Sequence, residues 1–242
     1  IGAVRNKGII PWDDDVDIMM PRKDYDQLIS YCREHGDDIK PFVLFENSLN
    51  INYPHPIARM SDSRYRLDFE NEKDYGLGLF VDIYPLDGAG NNIKGAHKLV
   101  HKSYRNASLC FLTSRKKFGV DNTKSKMKMA LKVPAYLWAN AFGNAHYIKK
   151  ANKLCSTFGY DESAYVTGVA QPWPEKNGEN KNIYKKEWFI PVEAEFEDGK
   201  FFIPIGYDKI LKMGYGDYMT PPSEVDRKTH HTYDVYRRTN SK

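Results

Sequence analysis

The chain has 242 residues, of which 41% are hydrophobic, and it carries a formal net charge of +4. These values are typical of one globular domain with a substantial core, and no apolar run of about 18 residues is present to form a transmembrane helix. Cys32, Cys110 and Cys155 are widely spaced, which excludes a disulfide scaffold and a cysteine-rich zinc site and favours a reducing, cytoplasmic location. Because the chain does not start with Met, we expect a further N-terminal piece.

Positive charge is concentrated in one part of the chain. Residues 94–154 contain 14 Lys and Arg residues and a single acid, Asp121. Such a block is typical of contact with a polyanion, namely an anionic membrane surface, nucleic acid or a phosphate-rich polymer. Solvated helix faces are the alternative interpretation.

Apolar periodicity and turn residues predict an α+β fold. Helices are expected over residues 23–35, 94–118, 125–141, 146–158 and 207–213. Strands are expected over residues 16–20, 42–45, 57–60, 65–67, 79–84, 165–170, 189–197 and 200–203. Pro85 should end the strand before it, because proline cannot donate to a sheet ladder. We divide the chain into an N-terminal core (1–92), a basic helical region (93–160) and a C-terminal mixed α/β segment (161–242) that completes the domain.

Residues 130–142 are largely apolar, and Lys132 is their only charged residue. Their large apolar side chains are Leu131, Val133, Tyr136, Leu137, Trp138 and Phe142. Packing of these side chains into the core is the favoured interpretation. An interfacial membrane contact is the alternative, because lysine-rich flanks and a tryptophan suit the lipid headgroup boundary.

Four carboxylates fall within five positions near the start of the chain: Asp13, Asp14, Asp15 and Asp17. If residues 16–20 form a strand, the odd-numbered aspartates share one face, while Val16 and Ile18 point to the other face and can be buried. Asp15 and Asp17 would then lie roughly 6.6 Å apart along the strand, close enough to share one or two divalent ions.

Three interpretations of this acidic segment compete. An acidic surface turn is the simplest. A helix-loop-helix calcium site is rejected, because Ile18 occupies the position that requires glycine. A Mg²⁺ or Mn²⁺ site for phosphoryl or nucleotidyl transfer is favoured, since Arg5 and Lys7 precede the acids and suit phosphate oxygens.

Asp82 lies in an otherwise apolar predicted strand. A buried acid is costly unless it is paired or bound to a metal. A hydrogen-bonded core aspartate is one interpretation. The other is a third carboxylate for the metal site, or a base for an attacking hydroxyl. His230 and His231 are weaker candidates for contact with substrate or metal, a surface pair being the alternative.

Four segments carry a family resemblance. They are Gly2-Ala-Val-Arg-Asn-Lys-Gly-Ile-Ile-Pro-Trp-Asp-Asp-Asp-Val-Asp-Ile18, Pro21-Arg-Lys-Asp-Tyr25, Phe80-Val-Asp-Ile-Tyr-Pro-Leu-Asp87 and Tyr215-Gly-Asp-Tyr-Met-Thr-Pro-Pro222. The first closely resembles the signature of the LicD family of phosphocholine transferases, which fukutin and the fukutin-related protein share in part. The resemblance implies a nucleotidyltransferase-like mixed β-sheet flanked by helices, with a basic helical insertion.

The resemblance also implies roles for individual residues. The implied metal ligands are Asp13, Asp15, Asp17 and Asp82, of which Asp15, Asp17 and Asp82 are the catalytic acids. Donor binding is assigned to Arg5, Lys7 and Arg59. The Gly-Gly/Ser segment that holds donor phosphates in the superfamily should lie just upstream of Gly2.

The implied chemistry is transfer of phosphocholine from CDP-choline to a sugar hydroxyl of a cell-surface glycan. The acceptor would be a teichoic acid or lipopolysaccharide precursor, lipid-linked and anionic, met at the inner face of the membrane through residues 94–154, and no nucleic acid partner is expected. Choline requires aromatic faces and a carboxylate. The candidate aromatic residues are Tyr53, Trp173, Trp188, Tyr215 and Tyr218.

Three other functions remain open at this point. A CDP-linked donor of ribitol phosphate or glycerol phosphate would keep the mechanism and change the group transferred. Nucleotidyl transfer to a small hydroxyl substrate would release pyrophosphate instead of CMP. A non-enzymatic module that uses its basic helices on a polyanion or membrane would not need the aspartates.

Overall fold

The computed structural model describes residues 1–118, 126–173, 181–227 and 233–239, and describes no side chains between 126 and 131. Helices and strands are both well represented, and the α+β class expected from the sequence is confirmed. Within the described residues, no helix combines the length and the apolar character needed to cross a bilayer. The three cysteines are buried free thiols, as expected.

A six-stranded mixed sheet forms the centre of the fold. Five of its strands follow the order β2 (Phe42–Phe45), β3 (Ala58–Asp62), β5 (Leu79–Gly88), β6 (Tyr165–Thr167) and β7 (Tyr184–Lys185). The remaining strand, β1 (Asp17–Pro21), pairs in parallel with β5. The other pairings in this sheet are antiparallel. The register of β1 with β5 places the acidic segment at the start of β1 beside the middle of β5.

Two further sheets have two strands each within the described part of the chain. One pairs β4 (Tyr65–Phe69) with β10 (Tyr233–Arg237), and the other is the hairpin of β8 (Pro191–Phe196) and β9 (Gly199–Pro204). The two strands of this hairpin were predicted over residues 189–197 and 200–203, and both are confirmed. Strands β7 and β10 were not predicted from the sequence.

The helices cover the sheet and form the basic region. Their bounds are α1 (Arg22–Glu34), α2 (Ile93–Ser114), α3 (Lys126–Phe142), α4 (Asn144–Cys155) and α5 (Tyr207–Tyr215). Helix α1 packs Tyr25 and Cys32 against Leu44, Ala58 and Ile83 of the sheet. Helices α2 and α4 join a second core cluster with Ile57, Val169 and Ile183. Strand β5 contributes Ile83 to the first cluster and Tyr84 to the edge of the second. The acidic segment, which lies beside β5, is therefore attached to a strand that is packed on both faces.

Strand β5 continues through Pro85, where the sequence predicted its end. The amide of Asp82 donates to the carbonyl of Val16, so the nitrogens of alternate residues face β1 and that of Pro85 faces the opposite side. On that side, pairing with β3 stops at Ile83. Proline has no N–H to donate, but no described strand is paired on that side at Pro85. No hydrogen bond is therefore lost, and β5 continues to Gly88.

Other boundaries also differ from those predicted. Helix α2 ends at Ser114 rather than 118, and β6 is three residues long. Val16 and Ile18, expected to be buried, are 41% and 39% exposed. Strand β1 pairs with β5 alone among the described strands, so these side chains stand at an edge of the sheet.

Candidate active site

The parallel pairing of β1 and β5 places two of the predicted acids side by side. Asp17 and Asp82 are direct partners in the register, and Arg59 of β3 is the partner of Asp82 on its other side. Partners in adjacent strands project from the same face of a sheet. A row of two carboxylates and one guanidinium therefore crosses three neighbouring strands, with Asp17 exposed and Asp82 only 6% exposed.

Arg59 connects this row to a buried polar network. Its Nε donates to Oδ1 of Asp82 at 2.7 Å, and its Nη1 donates to the hydroxyl of Tyr75 at 2.8 Å. Tyr75 in turn donates to Glu72, which also bonds Nε2 of His55 at 2.5 Å. Arg59 was predicted to bind the donor; in the structure its described contacts orient Asp82.

Burial and the charge of Arg59 act in opposite directions on the pKa of Glu72 and in the same direction on that of His55. Burial opposes the ionised form of Glu72, but its bonds to His55 and Tyr75 and the charge of Arg59 outweigh burial and lower its pKa to about 2. Burial, together with the charge of Arg59, lowers the pKa of His55 despite the bond to Glu72. The network thus favours an anionic Glu72 and a neutral His55 donating through Nε2–H.

The acids before β1 form a compact cluster. Oxygens of Asp13, Asp14 and Asp15 all lie within 4.8 Å of one another. Since β1 begins only at Asp17, a loop brings them together, and the strand alternation used in the sequence analysis does not apply to them. Asp14, which the sequence analysis omitted from the ligands, belongs to this group, and the run of consecutive aspartates was the available signal.

The charges of the loop acids and of the strand acids shift the pKa values of the same tyrosines. Burial, followed by the charges of Asp82 and Asp17, raises the pKa of Tyr84. Burial also raises the pKa of Tyr215, with contributions from Asp17, Asp13 and Asp15. The loop cluster and the strand acids therefore face common neighbours.

An exposed aromatic pair borders the acids. The rings of Trp173 and Tyr215 meet edge-to-face, with centroids 6.1 Å apart, and the residues are 43% and 54% exposed. The other aromatic candidates for choline are placed elsewhere. Tyr53 is 1% exposed, Tyr218 is 6% exposed and donates to Asp208, and Trp188 packs in an apolar cluster.

Cations also lie near the acidic cluster. The guanidinium groups of Arg5 and Arg227 lie 5.7 Å and 4.5 Å from the ring centroid of Trp12, the residue before Asp13. Arg227 was not predicted, since only the fold brings it here. Lys7 instead forms an exposed salt bridge of 2.9 Å with Glu195 of the β8–β9 hairpin. His230 and His231 lie outside the described residues.

The donor set suits a hard divalent cation. Several carboxylates converge, with no described cysteine or histidine among them, and Mg²⁺ and Mn²⁺ prefer oxygen ligands. The acids are close enough to hold such an ion without rearrangement of the sheet. The assignment of ligands stays a prediction.

The comparisons with known proteins agree with this architecture. Residues 1–124 match the family model described as "LicD/FKTN/FKRP, nucleotidyltransferase domain". The chain is also 31% identical over 241 residues to the lipopolysaccharide cholinephosphotransferase LicD of Haemophilus influenzae, covering 98% of this chain and 85% of that protein. No solved structure matches.

The match over residues 1–124 and the relative that covers nearly the whole chain together show a protein of the LicD/fukutin class. The chain belongs to the LicD family, which confirms the resemblance and the expectation of a phosphotransferase.

Proposed function

We propose that this protein transfers phosphocholine from CDP-choline to a sugar hydroxyl of a lipopolysaccharide precursor, with Mg²⁺ or Mn²⁺ as cofactor. The pairing of Asp17 with Asp82, next to the Asp13–Asp15 cluster, is the observation that carries this proposal. The Haemophilus influenzae relative, a lipopolysaccharide cholinephosphotransferase, supports the group and the acceptor. A teichoic acid precursor is the alternative acceptor, and the reaction would take place at the cytoplasmic face of the membrane.

The reaction moves one phosphoryl group between two oxygens. The acceptor hydroxyl forms a bond to the phosphorus that carries choline, the bond from that phosphorus to the bridging oxygen breaks, and CMP leaves. The hydroxyl proton passes to a carboxylate of the acidic cluster. The metal, held by Asp13, Asp15, Asp17 and Asp82, would neutralise the phosphate charge that develops during the transfer.

The protein contributes orientation and charge around that transfer. Arg59 fixes the carboxylate of Asp82 through its 2.7 Å bond, so this acid is held in place before the donor binds. Arg5 and Arg227, both beside Trp12, would pair with donor phosphate oxygens, which guanidinium groups bind well. Lys7 would first have to leave Glu195, an exposed pair that solvent screens strongly.

Trp173 and Tyr215 are assigned to the choline group. Two aromatic faces at an angle, beside several carboxylates, attract a quaternary ammonium ion through the ring quadrupoles and the negative charges. A polyol such as ribitol or glycerol has no positive charge to use this site. The pair therefore favours choline as the group transferred.

The donor is tested directly by product analysis. We expect the full-length protein with Mg²⁺ to release CMP from CDP-choline in the presence of a lipopolysaccharide precursor, and to release less from CDP-ribitol or CDP-glycerol. Turnover of CDP-ribitol or CDP-glycerol alone would contradict choline as the group. Release of pyrophosphate from CTP would identify a nucleotidyltransferase, and silence with every donor would favour the binding-module alternative.

The choline site is tested by Trp173→Ala. Loss of one cation–π partner, worth about 0.5–2 kcal/mol, should raise KM for CDP-choline by about 2- to 30-fold. Tyr31→Ala removes an aromatic side chain on α1 that is 51% exposed, against 43% for Trp173, and is the control, expected to leave KM unchanged. An equal effect of both variants, or of neither, would refute the assignment.

A further inference from the structure

Helix α3 presents an apolar stripe to solvent. Leu137 and Trp138 are each 62% exposed and Phe142 is 49% exposed, and Pro134 and Ala141 are also exposed. Their spacing of three and four residues places all five on one face of the helix. The rings of Trp138 and Phe142 contact each other, with centroids 5.0 Å apart. The core packing predicted for this segment is therefore wrong for Leu137, Trp138 and Phe142, while the side chain of Leu131 lies outside the described residues.

The orientation of α3 is fixed by its opposite face. Ala139 is fully buried and packs with Cys110 of α2 and with Tyr147 and Ile148 of α4. The tyrosine and valine of the same segment, Tyr136 and Val133, are half-buried. An amphipathic helix in a globular protein normally buries its apolar face. Here the small residue faces the core and the large apolar residues face outward, which indicates an external partner for that face.

Charge decides which partner fits. Residues 94–154, which include the stripe, contain 14 basic residues and one acidic residue. On α2, four exposed basic residues recur at helical spacing: Lys94, Lys98, Lys102 and Arg105. Two copies of the chain meeting here would bring two strongly basic segments together, which is unfavourable, and nucleic acid would satisfy the charges but not the apolar stripe. An anionic bilayer satisfies both.

We propose that α3 is an interfacial membrane helix that lies along an anionic lipid surface. Leu137, Trp138 and Phe142 enter the boundary between headgroups and acyl chains, where tryptophan is favoured, and the basic residues of α2 and α4 contact lipid phosphates. This binding goes beyond the proposed transfer reaction and involves no residue assigned to it. It would hold the protein at the surface where a lipid-linked acceptor is found.

Vesicle flotation of the full-length protein tests the proposal without any donor or acceptor. We expect binding to vesicles of phosphatidylcholine and phosphatidylglycerol, much weaker binding to phosphatidylcholine alone, and release by high salt. The triple variant Leu137→Ser, Trp138→Ser, Phe142→Ser should bind the anionic vesicles at least about tenfold more weakly, since three apolar side chains no longer leave water.

The matched control replaces three exposed apolar residues outside the basic segment. Ile51, Phe202 and Val225 are 93%, 74% and 74% exposed, and their triple replacement by serine should leave vesicle binding unchanged. A second variant, Lys94→Gln, Lys98→Gln, Lys102→Gln, Arg105→Gln, should lose the preference for anionic lipid. Unchanged circular dichroism spectra establish that the variants are folded.

Three results would overturn the proposal. The first is wild-type binding that does not exceed that of the α3 triple variant. The second is an equal loss in the Ile51, Phe202 and Val225 control. The third is a pair of observations: the wild-type protein is a dimer in sedimentation equilibrium whereas the α3 triple variant is a monomer, and neither protein binds vesicles. This result would assign the stripe to a contact with a second copy of the chain. Failure of CMP release would leave the flotation result unaffected, so the two proposals fail separately.

Discussion

At the scale of single residues, Arg59 is the cation on which Asp82 depends. The side chains of Arg59 and Asp82 are 11% and 7% exposed, whereas the neighbouring pair of Arg64 and Asp62 involves an arginine that is 58% exposed. An ion that loses its partner in the interior is costly, and an ion that loses its partner in water is not. Chemically similar pairs therefore differ in importance because of their position.

This difference predicts the stability of two variants. Arg59→Ala should reduce the free energy of unfolding by about 3–5 kcal/mol, because Asp82 stays buried without a cation. Arg64→Ala should cost far less, because Arg64 is largely exposed and solvent screens its ion pair. Urea denaturation of both variants measures the two losses, and similar small losses would contradict the role given to Arg59.

The pair of His55 and Glu72 predicts how stability depends on pH. Because the pKa of His55 is lower in the folded state than in the unfolded chain, its contribution is complete above about pH 6.5 and decreases as the pH falls below that value. Glu72, with its pKa lowered to about 2, adds a further loss only below about pH 4.5. Within this pair, the loss between pH 7 and pH 5 therefore comes from His55 and not from Glu72.

Accordingly, the wild-type protein should lose more stability between pH 7 and pH 5 than His55→Gln, whose amide can donate to Glu72 at either pH. His101→Gln, at an exposed position on α2, is the control and should follow the wild-type protein. Urea unfolding at the two pH values gives the comparison. A variant His55→Gln that loses as much as the wild-type protein would exclude His55 as the titrating group.

At the scale of elements, β5 depends on its close contact with β3. A Cβ built on Gly78 would lie 1.9 Å from the carbonyl oxygen of Asp62 and 2.8 Å from that of Tyr65, and the amide of Gly78 donates to Ser61. Backbone on two sides cannot move aside cheaply. Glycine is thus required where the chain enters β5.

Two Gly→Ala variants should therefore change stability in opposite directions. Gly78→Ala should destabilise the protein by several kcal/mol through the overlap with Asp62, as overpacking of a rigid site does. Gly95→Ala, inside α2 with no atom nearer than 3.9 Å, should stabilise it by about 0.5–1 kcal/mol. Thermal unfolding measures both, and a tolerated Gly78→Ala would show that the approach to β5 is not tightly packed.

The elements also show what sequence can and cannot predict. Helix α1 and strand β2 were predicted within a residue because periodic side chains fall on one face of a regular element. Strand β10 was missed because it gains its structure only by pairing with β4, more than 160 positions earlier. The end of β5 was predicted wrongly at Pro85, because the effect of a proline depends on which side of the strand is paired. The burial of α3 was predicted wrongly, because periodicity does not say whether an apolar stripe faces the core or the outside of the molecule.

At the scale of the whole molecule, separate regions combine into one account of transfer at a membrane. The sheet sets Asp17 beside Asp82, the loop before it gathers Asp13 to Asp15, and the C-terminal half supplies Tyr215 and Arg227. The sequence motif indicated the acids, but the residues from the C-terminal half were placed beside them only by folding. The basic helices would then bring this site to a lipid-linked, anionic acceptor.

The most direct test is CMP release from CDP-choline by the full-length protein with Mg²⁺ and a lipopolysaccharide precursor, measured for wild type, Asp17→Asn and Asp198→Asn. Asp198 is exposed in the β8–β9 turn and serves as the matched aspartate. We expect Asp17→Asn to lower kcat by at least about 100-fold, because an acid that stabilises charge in the transfer site is lost. Asp198→Asn should leave kcat unchanged, and both variants should stay folded. Chelation should abolish wild-type release and added Mg²⁺ should restore it. Acceptor-dependent CMP release that persists in Asp17→Asn would contradict the acidic cluster as the catalytic centre.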